Sequence, residues 1–298
     1  MSTKIKHIVM SGGGSIGLAF YGVLRESCKA GFWKMGDIET MHSTSAGSII
    51  MMSLPIIEII GWDSYDDFLI KRPWEKVFEV SADRFFKSYG NIGLFDRTTL
   101  EIAIQPLLSS VDLSLNTTLQ EFYEFSGVEM HWYSTNLDEY RLEDISYKTH
   151  PDWTVVDATY CSAALPIMFR PGNVNGVSYS DGGTFCGYPL MRCVPLVENT
   201  DEILGLCKNS DHKTRGYTQH TDYGNILDYL SDLVLKTIDC LGEEEKIPIK
   251  HMICVQDGNT SVAEVVDAFK TAESRSGKIQ IGVDAWTSSQ FAFASTRH

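Results

Sequence analysis

Ile5-Lys6-His7-Ile8-Val9-Met10-Ser11-Gly12-Gly13-Gly14-Ser15-Ile16-Gly17 is an apolar run that stops abruptly at glycines. The run reads as a short buried strand, and residues 16–30 have helical length and begin apolar nearly all round. Gly31 stands where a glycine commonly ends a helix. Residues 38–43 read as a second strand, and a second helix starts at Ala46 and is interrupted at Pro55. Strand, helix, strand and helix within about fifty residues require a right-handed crossover and a parallel sheet. The expected fold class is therefore α/β.

Outward from that unit, residues 62–125 are polar, aromatic and mostly helical, with Asp96 placed to cap an amphipathic helix. Strands are expected over 130–137 and 141–147, a helix over 155–162 ended by Leu165-Pro166, and a short strand over 177–180. Residues 208–221 read as a polar loop, 226–241 as an amphipathic helix and 249–255 as a late strand, with one terminal helix after it. No repeat, low-complexity tract or long linker divides the chain, so residues 1–298 are expected to form one domain. Its motif-bearing core is about 5–205, with 206–298 completing it.

The 298 residues are 43% hydrophobic and 21% charged, which excludes collagen-like, coiled-coil and largely disordered chains. Net charge is −14, which argues against nucleic acid, whose affinity comes from Lys and Arg on phosphates. The excess is uneven: residues 1–36 sum to +4, 37–157 to −13, 158–215 to zero and 216–298 to −5. The seven cysteines are widely spaced without a CxxC pair, which excludes zinc knuckles and thioredoxin-type motifs and suits a reducing compartment. The first fourteen residues lack the apolar core and cleavage site of a signal peptide. The longest apolar run, 49–60, is too short to span a bilayer and contains Pro55 and Glu58. A soluble intracellular protein is expected.

Three motifs carry chemistry. Gly12-Gly13-Gly14-Ser15-Ile16-Gly17 lies between a strand and a helix, where glycines let backbone N–H groups face a ligand beside a helix N-terminus. Gly12, Gly14 and Gly17 also fit the dinucleotide fingerprint, with Asp37 about twenty residues on. Asp37, however, precedes the second strand, whereas the fingerprint acid ends it. Ser43-Thr44-Ser45-Ala46-Gly47, at the next strand-to-helix junction, describes either a nucleophile elbow projecting Ser45 or a helix-capping serine. Asp181-Gly182-Gly183 ends a strand with a carboxylate, as a turn former or as a general base. Together they make a complete acyl-transfer set of backbone donors, nucleophile and base.

This ordered set resembles the patatin-like phospholipase family, whose pattern is GGGxxG, then GxSxG about thirty residues later, then DG[GA]. Ser162-Ala163-Ala164-Leu165-Pro166-Ile167-Met168-Phe169-Arg170-Pro171 is similar to the family block S-x-A-x-P-x-x-F-x-P, and Thr135-Asn136-Leu137 to its central T-D-L strand. The resemblance covers roughly residues 5–205. It implies a three-layer fold with a mostly parallel central sheet and helices on both faces, and a Ser–Asp dyad without histidine. Ser45 would attack an ester carbonyl with Asp181 taking its proton, and amides of the loop Gly12, Gly13, Gly14, Ser15 and Gly17 would form the oxyanion hole. Ser43, Ala46, Gly47, Gly182 and Gly183 would support them. The implied substrates are acyl esters of phospholipids, lysophospholipids or neutral lipids, with no metal or other cofactor. Ser43 replaces the elbow glycine, Ile16 an Arg or Lys, and Gly187 an Asn of the family pattern; none of these deletes a reacting group.

Two other functions remain open on the residues. A Ser-His-Asp triad would draw on His212, His220 or His251, although too few strands precede Ser45 for that hydrolase fold. A non-enzymatic lipid-binding or interaction module would keep the fold without turnover. A lipid substrate implies transient membrane contact, for which the aromatic stretch Trp74 to Phe95 and the basic loop Lys208, His212, Lys213 and Arg215 are candidates.

Overall fold

A computed structural model describes residues 4–79, 92–208, 226–241, 247–256 and 262–295. The leading apolar run forms β1 (His7–Met10), and α1 (Ile16–Lys29) follows the glycines. Gly31, at φ 72°, turns the chain out of α1. Strand β2 (Thr40–Thr44) then leads through Ser45 into α2 (Ala46–Ile60). Pro55 does not interrupt α2, contrary to expectation. A proline inside a helix costs about 3 kcal/mol. Leu54, Ile56 and Ile57 are each buried by the continued helix, which returns about 1.5–3 kcal/mol apiece.

Helices α3 (Trp62–Lys71), α4 (Trp74–Val77), α5 (Arg97–Ser109) and α6 (Leu119–Ser126) follow. Asp96 caps α5 as expected, and Thr118 with Glu121 forms a capping box on α6. Next come β3 (Glu129–Asn136), β4 (Arg141–Ile145), α7 (Val155–Ala163), β5 (Gly172–Val174), β6 (Val177–Asp181) and the short α8 (Leu190–Cys193). The chain returns through β7 (Ile203–Lys208), α9 (Ile226–Leu241), β8 (His251–Val255), α10 (Val262–Lys270) and α11 (Ala272–Ser295). Two terminal helices thus replace the expected one. The break falls at Thr271, whose hydroxyl accepts the Ser274 amide and caps α11.

Among the described residues, the strands form one eight-stranded sheet in the order β5-β6-β3-β2-β1-β7-β8, with β4 also on β3. The five strands β3-β2-β1-β7-β8 are mutually parallel, and β4 and β6 run antiparallel to β3. Strand alternation separates two cores. Ile8 and Met10 belong to the large one with α1, α2 and α11, whereas Val9 packs with Leu190, Cys193, Ile203 and Ile249 on the thinner face under α8.

The register of β3 places the site. β2 pairs with Glu129 to Tyr133 and β4 with Trp132 to Asn136, so these two strands occupy opposite edges of β3. β6 pairs with Ser134 to Asn136, which β4 already holds from the other side, so β6 shares the edge of β2. Thr44 pairs with Tyr133 and Asp181 with Ser134, consecutive residues of β3. The C-terminal ends of two oppositely directed strands therefore meet head to head, bringing Ser45 toward Asp181.

Candidate active site

Ser45 occupies φ 56° and ψ −126°, a conformation that residues with a Cβ rarely adopt. Its N–H donates to Ser162 Oγ at 3.1 Å, and the Ser162 hydroxyl donates to Tyr133 O at 2.8 Å. Ser48 Oγ lies 2.7 Å from Ser162 Oγ, and its own amide donates to Ser45 O at 2.9 Å. Ser43 is fully buried, with its hydroxyl on Ser48 Oγ (3.2 Å) and Met51 Sδ (3.1 Å), so the departure from glycine is accommodated within this hydroxyl cluster. Close packing explains the small residues downstream. A Cβ on Gly47 would fall 2.8 Å from Ser11 O, and one on Gly17 would fall 3.3 Å from Ala46 Cβ.

Asp181 is 2% exposed. Its N–H donates to Ala164 O (3.0 Å), and its carbonyl accepts the Thr135 hydroxyl (2.8 Å). Oδ1 accepts the Gly183 amide at 2.7 Å, while Oδ2 is buried with no partner in hydrogen-bond geometry. Burial pushes the carboxyl up to about 6, and the nearby Ser45 hydroxyl and the Gly183 N–H act in the opposite direction. Gly182 lies against β3, where a Cβ would fall 2.2 Å from Tyr133 O. Gly183 faces Ile238 of α9.

The glycine loop passes directly over Ser45, and a Cβ on Gly12 would lie 3.0 Å from Ser45 Cβ and 3.7 Å from its Oγ. Two bonds fix the loop from below: Ser11 N–H to Leu206 O (3.0 Å) and Gly12 N–H to Gly187 O (2.9 Å). Gly187, a departure from the family pattern, thus contributes its carbonyl. Gly13 at φ 139° and Gly14 at φ 63° then turn into α1, which starts after Ser15. The Gly17 amide donates to Gly14 O, and no acceptor among the described residues takes the Gly13 or Gly14 N–H. Those two amides lie before the N-terminus of α1, directly after Gly12.

Other predicted residues lie elsewhere. His251 is on β8, three strands from β2, with its ring against Phe32 and its pKa lowered by burial. It is not brought to Ser45. His212, His220, Lys213 and Arg215 lie outside the described residues. Asp37 forms an ion pair with Lys4 at 2.9 Å in the turn before β2 and does not end the strand. Trp74 and Phe95 are buried in aromatic packing with Phe78, so these two do not form a docking surface. Residues 80–91 of that stretch lie outside the described residues. Lys208 ends β7 instead of opening a loop, and its alkyl chain lies 3.4 Å from where a Gly13 Cβ would be. Sequence reasoning missed the supporting roles of Ser48, Ser162 and Gly187; the first residue of the S-x-A-x-P block was the available signal for Ser162.

A family model described as "Patatin-like phospholipase" matches residues 8–194, which include β1, the elbow and Asp181-Gly182-Gly183. The chain is 26% identical over 187 residues to "Probable lipid hydrolase 463L" of Invertebrate iridescent virus 6, covering 62% of each chain. It is 24% identical over 237 residues to "Uncharacterized protein R571" of Acanthamoeba polyphaga mimivirus, covering 78% of this chain and 76% of that one. Among solved structures it is similar to VipD from Legionella pneumophila, at TM-score 0.44 and 13% identity, over 95% of this chain and 67% of that one. It is also similar to ExoU of Pseudomonas aeruginosa in complex with SpcU, at TM-score 0.37 and 15% identity, over 94% of this chain and 53% of that one. The family match spans well over half of the sequence and includes all three motifs. The chain belongs to the patatin-like phospholipase family.

Proposed function

We propose that this protein is a lipid acyl hydrolase working through a Ser45–Asp181 dyad and an acyl-enzyme intermediate. Ser45 Oγ attacks the ester carbonyl carbon while its proton passes to Asp181 Oδ2. The oxyanion develops toward the Gly13 and Gly14 amides. Asp181 then returns its proton to the leaving alkoxide, takes one from a water that adds to the acyl carbon, and passes it to Ser45 Oγ as the Ser45–acyl bond breaks and the carboxylic acid leaves. The observation that carries this reading is a buried carboxyl whose Oδ2 has no hydrogen-bond partner and whose charged form the neighbouring Ser45 hydroxyl favours. A carboxyl at about 6 is a stronger base than an ordinary aspartate and is still ionised near neutral pH. No described histidine stands beside it to mediate the transfer.

The substrate class follows from the family and from the iridescent-virus relative named as a probable lipid hydrolase. Contact with a membrane or other lipid interface is part of the proposal, because acyl lipids reside there. The test is hydrolysis of a chromogenic acyl ester and of phospholipid vesicles by wild type, Ser45→Ala and Asp181→Asn. Each substitution is expected to lower the rate about 10³-fold or more. The wild-type rate should rise with pH through about 6 and then level. A folded wild type inactive on every acyl ester would favour the lipid-binding module instead.

A further inference from the structure

Strands β7 and β8 bring a second reactive pair beneath the glycine loop. Cys207 and Cys254 are directly paired in the parallel register, and their Sγ atoms lie 2.7 Å apart. That separation is about 0.7 Å longer than an S–S bond. Cys207 is 2% exposed, whereas Cys254 is exposed on β8, the edge strand of the sheet. Strand alternation puts both sulfurs on the face of the sheet that carries Val9, Ile203 and Met252.

The same face holds Tyr188. Its hydroxyl is buried with no hydrogen-bond partner among the described residues, and a Cβ on Gly205 would fall 2.1 Å from it. Burial and the neighbouring Cys207, Cys254 and Cys193 raise its pKa well above the ordinary tyrosine value. Tyr188 follows Gly187, whose carbonyl holds Gly12 N–H. On the other side of Cys207, Leu206 O holds Ser11 N–H and Lys208 N–H donates to Ser11 Oγ at 3.1 Å. The cysteine pair is therefore flanked by both attachments of the glycine loop.

We propose that Cys207 and Cys254 are a reversible dithiol–disulfide site, oxidised by small-molecule disulfides and coupled to the order of the glycine loop. Exposed Cys254 reacts first: its thiolate attacks one sulfur of the small disulfide R–S–S–R and expels R–S⁻. Cys207 loses its proton to water and attacks Cys254 Sγ, expelling the second R–S⁻. The net change is two protein thiols oxidised to one S–S bond and one R–S–S–R reduced to two R–SH. In a reducing compartment the pair stays as thiols. The bond cross-links β7 to β8 at the end of β7 that bonds Ser11.

Oxidised glutathione is the probe, followed by alkylation, digestion under non-reducing conditions and mass spectrometry of the full chain. The expected product is a linked peptide joining the Cys207 and Cys254 segments, absent after reduction. Cys207→Ser should instead trap glutathione on Cys254, and Cys254→Ser should leave Cys207 alkylated only after unfolding. Circular dichroism of both variants checks folding. Amide hydrogen exchange over residues 10–16 should slow severalfold on oxidation of wild type and not of either variant. Glutathione retained on Cys254 of wild type, or a linked peptide with unchanged exchange, would overturn the proposal.

Discussion

Asp181 holds its carboxyl with one oxygen on the Gly183 amide and the other without a hydrogen bond, at 2% exposure. Its pKa, about 6 when folded against an ordinary 3.8, makes ionisation costly in the native state. The sign follows from linkage: between those values the folded state binds more protons, so stability is complete below about 3.8 and falls as pH rises through 6. The whole loss is about 3 kcal/mol. Asp181→Asn removes the charge, so at pH 8 it should be more stable than wild type by up to that amount, with the gain vanishing near pH 4. Urea unfolding at both pH values measures this, and equal effects at the two would contradict it. Ser162→Ala takes the acceptor from Ser45 N–H and the donor from Tyr133 O. It should cost about 1–3 kcal/mol and lower kcat more than KM. Ser45 and Asp181 are legible in the sequence because strand-end positions flanked by small residues are sterically unusual. Ser48 is not, because a hydroxyl inside an apolar helix looks the same whether it supports an elbow or bonds its own backbone, and Ser162 is marked only as the first residue of the S-x-A-x-P block.

The helix pair α1 and α11 meets at backbone contact. A Cβ on Gly282 would fall 1.8 Å from Ala19 O, and one on Gly22 would fall 2.2 Å from Ile279 O. Gly277 on the same helix has nothing within 4 Å. Gly282→Ala should therefore destabilise by about 1–3 kcal/mol or more through overpacking, while Gly277→Ala stabilises by up to about 1 kcal/mol through helix propensity. Thermal unfolding of the two variants separates them, and a shift of the same sign in both would refute the close crossing. The elements up to β6 largely follow the sequence pattern, because each half-buried strand and capped helix carries its own local signal. Strand β7 does not: Ile203 to Cys207 is buried on both faces, so no alternation marks it, and Gly205 breaks the apolar run. Pro55 misleads for the opposite reason, since a strong local breaker is outweighed by the burial it allows on either side.

Across the whole molecule the charge is uneven around the site. The glycine loop comes from the +4 segment, Ser45 from the start of the acidic stretch and Asp181 from the neutral segment, while most of the −14 lies between Asp37 and Asp157. Among the described residues no helix is long and apolar enough to cross a membrane. An acidic protein should float less with anionic than with zwitterionic vesicles at low ionic strength, and the gap should close at about 0.5 M salt. A gap that widens with salt would contradict this. Ser45 Oγ is the proposed attacking atom, and an acyl phosphonate inhibitor followed by peptide mass spectrometry identifies the residue that reacts. The expected result is a single covalent adduct on Ser45, absent in Ser45→Ala and formed far more slowly in Asp181→Asn. An adduct on another residue, or ester hydrolysis that survives Ser45→Ala, would contradict the dyad.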